Sequence, residues 1–157
     1  MKRLISGLAA VGALLLMTVS AQASGAGAIS VTQTFHNATQ SFPSPQPCTG
    51  VPGVVNLTFN GVSHFNFLTS GVGAGTGWGT FTATGDVFFV GSDGVNFTGH
   101  FMTWDGQNFN LQNYAATSTF VVHATGTDGT SLTFHDVFHI SVSASGVLIS
   151  FDKPSCG

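Results

Sequence analysis

A strict alternation of side chains between Leu132 and Val142 constrains this chain more than any other feature. A repeat of two residues belongs to a half-buried β-strand and not to a helix. One side of the strand carries Leu132, Phe134, Asp136, Phe138, Ile140 and Val142, and the other carries Thr133, His135, Val137, His139 and Ser141. Asp136 is the one charged residue on the apolar side. The segment therefore predicts a β-fold with a carboxylate that faces the core.

The rest of the chain continues this pattern, and no segment after the N-terminus resembles a helix. Asn60-Gly61, between two strand-like runs, is typical of a β-hairpin turn, and Gly85-Asp86 indicates a bulge. The predicted strands are 30–42, 54–59, 62–68, 78–90, 95–102, 116–125, 132–142 and 147–151. About eight antiparallel strands with short connections predict an all-β fold, a single up-and-down barrel. A two-sheet β-sandwich is the alternative.

The first residues have the features of a secretory signal peptide. Lys2 and Arg3 form a basic start, the segment 4–19 is apolar, and Ala21-Gln22-Ala23 places small residues at a cleavage site. We expect cleavage after residue 23, which gives a signal peptide over 1–23 and a single barrel domain over 24–157. The apolar run is too short for a membrane anchor. The predicted location is extracellular, and the membrane matters only during export.

Charge excludes one class of partner. After residue 23 the chain has six Asp, no Glu and one strong base, Lys153, which gives a formal charge of −5 with His neutral. Nucleic-acid binding is excluded because no cationic patch could neutralise phosphates. The chain also has 15 Phe, enough to fill a core.

The chain has two cysteines, Cys48 and Cys156. An even number of cysteines in an exported protein predicts a disulfide. The bridge would connect the C-terminus to the proline-containing loop after the first strand. Closing such a long loop contributes about 4–5 kcal/mol in the chain-entropy model.

His135 and His139 have the spacing of a zinc-binding pair on a helix. On a strand, residues four apart are separated by about 13 Å, so this pair cannot bind one metal ion. A site that also used His123 or His100 from neighbouring strands stays open as an alternative to a merely polar outer face. We expect neither a metal site nor a cofactor.

Asp136 is the main candidate for a binding residue. An ionised carboxylate in a core is costly unless it is paired or hydrogen-bonded, and the chain offers almost no base to pair with it. We consider His64 as its partner. The carboxyl group is either a polar contact at the bottom of an apolar cavity or a structural group held by local donors. Trp104 and Tyr114, on either side of a polar loop, are further candidate ligand contacts or, equally, lids over a core.

Four short strings resemble segments of small secreted actinobacterial proteins without a known activity. The strings are Thr34–Asn37, Pro47–Gly50, Phe134–Val137 and Phe151–Gly157. The resemblance covers nearly all of the chain after the signal peptide. It implies a compact barrel similar to allene-oxide-cyclase and lipocalin-like barrels, and it supplies no catalytic residues.

The leading interpretation is a secreted, non-catalytic β-barrel protein that binds a small apolar ligand or serves as a stable exported module. An interior cavity of about 300 Å³ or more would favour the ligand. One alternative is an isomerase- or cyclase-type enzyme, which needs a second polar group beside Asp136. The other is a membrane-inserted barrel with Phe towards lipid, which the scarcity of Trp and Tyr makes less favourable.

Overall fold

A computed structural model describes residues 20–22 and 27–157 of the chain. The predicted signal peptide lies outside the described residues except for Ser20–Gln22. The strands are β1 (Ser20–Gln22), β2 (Ala28–Pro45), β3 (Pro52–Leu68), β4 (Gly77–Gly91), β5 (Asn96–Phe109), β6 (Tyr114–Gly126), β7 (Ser131–Val142), β8 (Leu148–Asp152) and β9 (Ser155–Cys156).

All of these strands belong to one antiparallel sheet. Strands β1 to β8 follow one another in space in chain order, and β9 pairs with β7 beyond the end of β8. The described residues form no helix. The predicted all-β, up-and-down antiparallel fold is confirmed. Within the described ranges the first and last strands do not pair with each other, so hydrogen bonds do not close the sheet into a barrel.

A disulfide links strands near the two opposite edges of the sheet. The Cα atoms of Cys48, in the turn after β2, and Cys156, in β9, are 5.9 Å apart, which confirms the predicted bridge. Six strand spacings separate β2 from β9, or about 29 Å in a flat sheet. The sheet is therefore curled. Gln46 is buried in the same turn, and its Oε1 accepts a hydrogen bond of 2.7 Å from the backbone N–H of Cys48.

The face that carries most of the Phe side chains is the concave one. Phe59 of β3 and Phe101 of β5 both lie opposite Gly85 of β4, and their ring centroids are 6.3 Å apart. Backbones two strands apart in a flat sheet are separated by about 9.6 Å. A closed core fills the half of this face near the disulfide. Its buried residues are Leu57, Val87, Phe89, Phe97, Phe101, Val122, Ala124, Leu132 and Phe134.

The hairpin predicted at Asn60-Gly61 is wrong, because β3 runs unbroken through both residues. Gly61 lies opposite Phe35 on one side and Ala83 on the other. Asn60 Oδ1 accepts a hydrogen bond of 3.0 Å from the backbone N–H of Asn37. Asn37 has a φ of 47° and lies at the irregularity in β2 where the register shifts. Asn60 therefore stabilises a bulge in the neighbouring strand.

The bulge predicted at Gly85-Asp86 is also wrong. The register of β4 with β3 and with β5 continues through both residues without a shift. The bulge lies in β2, between Phe35 and Ala38. A glycine inside a strand can mark either a bulge or a close approach of neighbouring groups, and Gly85 marks a close approach of the β3 backbone at Thr58 and Phe59.

Candidate functional site

The concave face changes in character along its length. Above the closed core, at the end away from the disulfide, lies one row of register partners in which every side chain is aliphatic, aromatic or absent. We call this row the apolar rim; it consists of Ile29, Phe67, Gly77, Phe109, Tyr114, Val142 and Leu148. Ile29 is 46% exposed, Tyr114 38% and Leu148 59%. The rim is thus an apolar surface that the described residues leave partly open to solvent.

A group of polar side chains lies between the rim and the core. We call it the polar belt; it consists of Gln33, Ser63, Thr103, Asp105, Ser118, Asp136 and Asp152. Thr103 Oγ1 donates to the backbone oxygen of Thr119 at 3.1 Å and lies 3.4 Å from Asp105 Oδ2. The belt brings three carboxyl groups to the concave face, because the alternation of β5, β7 and β8 points Asp105, Asp136 and Asp152 to the same side.

Asp136 lies on the same face as Leu132 and Phe134. Its Oδ1 atom is buried and has no hydrogen-bond partner among the described residues, although the residue as a whole is only partly buried. Burial raises the pKa of its carboxyl group, and the adjacent carboxyl group of Asp152 raises this pKa further. Asp152 of β8 lies opposite Phe138 of β7, and Phe138 is two residues along the strand from Asp136. The two acids therefore form a pair in which Asp136 keeps its proton to a higher pH than an isolated carboxyl group would.

His64, which we considered as one possible partner of Asp136, does not lie beside it. His64 lies on the outer face of β3, because the alternation that turns Phe65 inward turns His64 outward. Its Nδ1 is 2.7 Å from Thr32 Oγ1, and both residues are exposed. Sequence reasoning missed the actual neighbour, Asp152. Asp152 lies two residues from Ser150 and so shares its face of β8, which the sequence could have indicated. Only the register of β8 against β7 brings it to Asp136.

Trp104 and Tyr114 lie on opposite faces. Tyr114 belongs to the apolar rim, whereas Trp104 lies on the outer face and is 44% exposed. A methyl group at Gly106 would be 2.7 Å from the Trp104 ring, so the ring lies over this glycine. The loop between β5 and β6 is shorter than the polar loop that we expected after Asp105, because β5 continues to Phe109. Of the four candidate ligand contacts, Asp136 and Tyr114 share the concave face, and His64 and Trp104 do not.

The outer face carries a second polar arrangement near the middle of β4 to β7. His100 Nδ1 is 2.7 Å from Asp86 Oδ1, and His123 Nδ1 is 3.3 Å from Thr133 Oγ1. A furrow of about 410 Å³ runs along these residues, and another of about 350 Å³ lies between β2 and β3. Among the described residues, no three or more His, Cys, Asp or Glu side chains are grouped to hold a metal ion.

His135 and His139 lie on the outer face of β7, as the strand alternation requires. His139 Nδ1 is 2.8 Å from Thr117 Oγ1, and its ring stacks on Phe151 with centroids 5.2 Å apart. These contacts give His139 a packing role between β6 and β8.

The described residues contain no helix that could span a membrane, because they form strands and turns only. No family model, no curated protein and no solved structure matches the chain. The two faces of the sheet, and the side chains that the register brings together there, are therefore the features that bear on function.

Proposed function

We propose that the chain is a secreted, non-catalytic protein whose concave face binds a small apolar ligand. The single observation that carries this proposal is the apolar rim, which lies half-exposed above a core that is already closed. Exposed apolar side chains that adjoin one another on a concave face are typical of ligand sites. Single exposed apolar residues scattered over a surface would need no such explanation.

The form of the surface limits the kind of binding. The two furrows described above are lined mainly by outer-face residues, so neither of them is the expected interior cavity. The proposed surface is an open basin with the apolar rim as its wall and the polar belt as its floor. A ligand there would cover aromatic and aliphatic carbon on the rim and satisfy a polar atom, such as Asp136 Oδ1, on the floor.

Secretion is supported by two independent features. The N-terminal 23 residues follow the pattern of a signal peptide. The Cys48–Cys156 disulfide is of the kind that persists in oxidising compartments. Cleavage after residue 23 would also remove β1, which pairs with β2 at Ser30–Thr32. The exported protein would then have a free β2 edge close to the apolar rim.

The arrangement of Phe disfavours a membrane-inserted barrel. Such a barrel presents an apolar band to lipid on its outer face. In this sheet the Phe core lies on the concave face, and the middle of the outer face carries Asp86, His100 and His123. Recovery of the protein in the membrane fraction of a culture, with none in the medium, would contradict the proposal.

Binding is tested with a neutral fluorescent apolar dye such as Nile red and two matched variants. Tyr114→Ser removes an aromatic ring from the rim, and Trp104→Ser removes one of similar exposure from the outer face. Tyr114→Ser should weaken dye binding about tenfold, equivalent to ~1.4 kcal/mol, because the ligand loses an apolar contact. Trp104→Ser should leave the affinity unchanged.

Equal effects of the two variants on dye affinity would contradict a ligand site on the concave face. Circular dichroism of each variant distinguishes loss of binding from loss of fold. Mass spectrometry of small molecules retained by the purified protein then identifies the natural ligand class.

A second candidate function, an isomerase- or cyclase-type enzyme, is favoured by one specific observation. It needs a second polar group beside Asp136, and Asp152 is such a group. Two adjacent carboxyl groups can hold one proton between them, so that one donates and the other accepts. Conversion of the retained ligand by the wild type, lost in Asp136→Asn while ligand binding persists, would support the enzyme. A ligand that stays chemically unchanged would exclude it.

A further inference from the structure

We propose that His100 and His123, on the outer face of β5 and β6, chelate one divalent transition-metal ion. The site is separate from the concave basin, because these side chains point to the opposite side of the sheet. It does not depend on the proposed ligand-binding function.

The backbone register places the two imidazoles side by side. His100 and His123 are direct cross-strand partners. The Cβ atoms of such partners are about 4.5–5.5 Å apart, so two rings that extend from them can converge on one ion. The strand itself separates His135 and His139, whereas pairing between two strands brings His100 and His123 together.

Hydrogen bonds leave the same nitrogen free on both rings. The Nδ1 atom of His100 is engaged by Asp86 Oδ1 at 2.7 Å, and that of His123 by Thr133 Oγ1 at 3.3 Å. With Nδ1–H donating to these oxygens, the lone pair of each ring is on Nε2. Histidines that bind metal ions characteristically donate their other N–H to a carboxylate or another oxygen, which fixes the tautomer and the ring orientation. Asp86 and Thr133 therefore already contact the two imidazole rings without a metal ion.

The surroundings suit a cation with an open coordination sphere. Thr98, Thr125 and Ser131 line the same furrow of about 410 Å³, which leaves room for water on the ion. The one Lys or Arg side chain in the range 27–157 is Lys153, which lies over Phe151 at the edge of the sheet. Imidazole ligands suit Zn²⁺, Ni²⁺ and Cu²⁺, with Cu²⁺ bound most tightly. Because the described residues supply no third His, Cys, Asp or Glu ligand, water completes the coordination.

The chain contains a matched control for this site. His64 is also an exposed outer-face histidine whose Nδ1 contacts a threonine hydroxyl, at 2.7 Å from Thr32. Its cross-strand partners are Thr32 and Thr80, so no second imidazole lies opposite it. If all exposed histidines bound metal ions equally well, replacing His64 would weaken metal binding as much as replacing His100 or His123.

The test is calorimetric titration of the whole chain, expressed without an affinity tag, with Ni²⁺ or Cu²⁺ alone. We expect one ion per chain. His100→Gln and His123→Gln should each weaken binding at least about tenfold, because one remaining imidazole cannot chelate. Asp86→Asn should weaken it by about 10-fold or more through the loss of ring orientation and basicity, which is typical of such partners. His64→Gln should leave the affinity unchanged.

A second measurement locates the ion directly in the wild type. Substoichiometric Cu²⁺ should broaden the ring proton NMR signals of His100 and His123 before those of His64. The side chains of His100 and Asp86 are 82% and 69% exposed, so their variants should keep the fold, and circular dichroism checks this. Absence of binding in the wild type, equal weakening by His64→Gln, or first broadening at His64 would each overturn the proposal.

Discussion

At the scale of single residues, the environment of Asp136 is set by a second acid and by the absence of a Lys or Arg side chain beside it among the described residues. Lys153 follows Asp152 directly in the chain, just after β8 ends, but its Nζ lies 5.0 Å from the centre of the Phe151 ring, which packs on the outer face against His139. No Lys or Arg side chain of the described residues therefore faces the carboxyl pair. Proton binding is the means by which repulsion between the two acids is relieved.

We expect Asp136 to make the protein less stable as the pH rises. The pKa of Asp136 is raised in the folded state, first by burial and then by Asp152. Its contribution to stability is therefore complete below the unfolded-state pKa and is lost as the pH rises through the folded-state pKa. Asp136→Asn should remove this part of the pH dependence. At neutral pH the variant should be more stable by under about 1 kcal/mol, because solvent screens part of the pair. Urea unfolding between pH 3 and pH 8 measures the difference.

Asp128 provides a control of opposite sign. Hydrogen bonds from the Thr130 hydroxyl and then from its backbone N–H lower the pKa of Asp128. Its contribution is present above the unfolded-state pKa and is lost as the pH falls through the folded-state pKa. Asp128→Asn should thus lower the stability at neutral pH, and the difference should vanish in acid. Identical pH profiles for Asp136→Asn and the wild type would contradict our account of the acid pair.

At the scale of elements, strand glycines determine how the aromatic side chains pack. Gly85 lies between Phe59 and Phe101 in the register, and its missing side chain leaves space in which the two rings meet edge to face at 74°. Gly61 lies one row further along, where a methyl group would be 2.7 Å from the Thr82 carbonyl oxygen. These positions need a residue without a Cβ because neighbouring groups approach closely, and not because the chain turns.

Gly85→Ala should therefore destabilise the fold. Its Cβ would overlap the Thr58 carbonyl oxygen and lie 2.6 Å from the Phe59 Cα atom, and neither backbone group can move without disturbing β3. Overpacking of this kind costs about 1–3 kcal/mol. The measurement is the midpoint of urea unfolding.

Gly106→Ala is the matched control on the outer face. The nearest atoms to its Cβ belong to the far side of the Trp104 ring, 2.7 Å away, and this exposed ring can rotate towards solvent. We expect a much smaller loss of stability. If Gly106→Ala cost as much as Gly85→Ala, the close backbone approach at Gly85 would not be the cause.

At the scale of the whole molecule, the disulfide connects edges that hydrogen bonds do not join. Pairing within the described residues runs from β1 to β8 and β9 without returning to the start. The bridge spans a sequence separation of 108 residues and holds the last strand near the turn after β2. The curvature of the concave face, and with it the spacing of the rim residues, depends on this connection.

Replacing both cysteines, as Cys48→Ser with Cys156→Ser, should lower the free energy of unfolding by about 4–5 kcal/mol. The reason is that the unfolded chain regains the entropy of a long open loop. Denaturant unfolding of the wild type with and without a thiol reductant should give a similar loss. The reductant should have no effect on the double variant. A loss below about 1 kcal/mol would mean that the edges are held together by other contacts.

The alternation of residues by itself determined the fold class and the face to which each β7 side chain points, because a strand has a period of two whatever its neighbours are. Because the chain has two cysteines, the sequence also allowed one intramolecular disulfide pairing. Only the tertiary structure decided which residues meet. It paired Asp136 with Asp152 and not with His64, set His100 beside His123, and kept Asn60-Gly61 within a strand. These outcomes depend on register between distant segments, and the sum of long-range pairing and packing outweighs the preference of any one dipeptide for a turn.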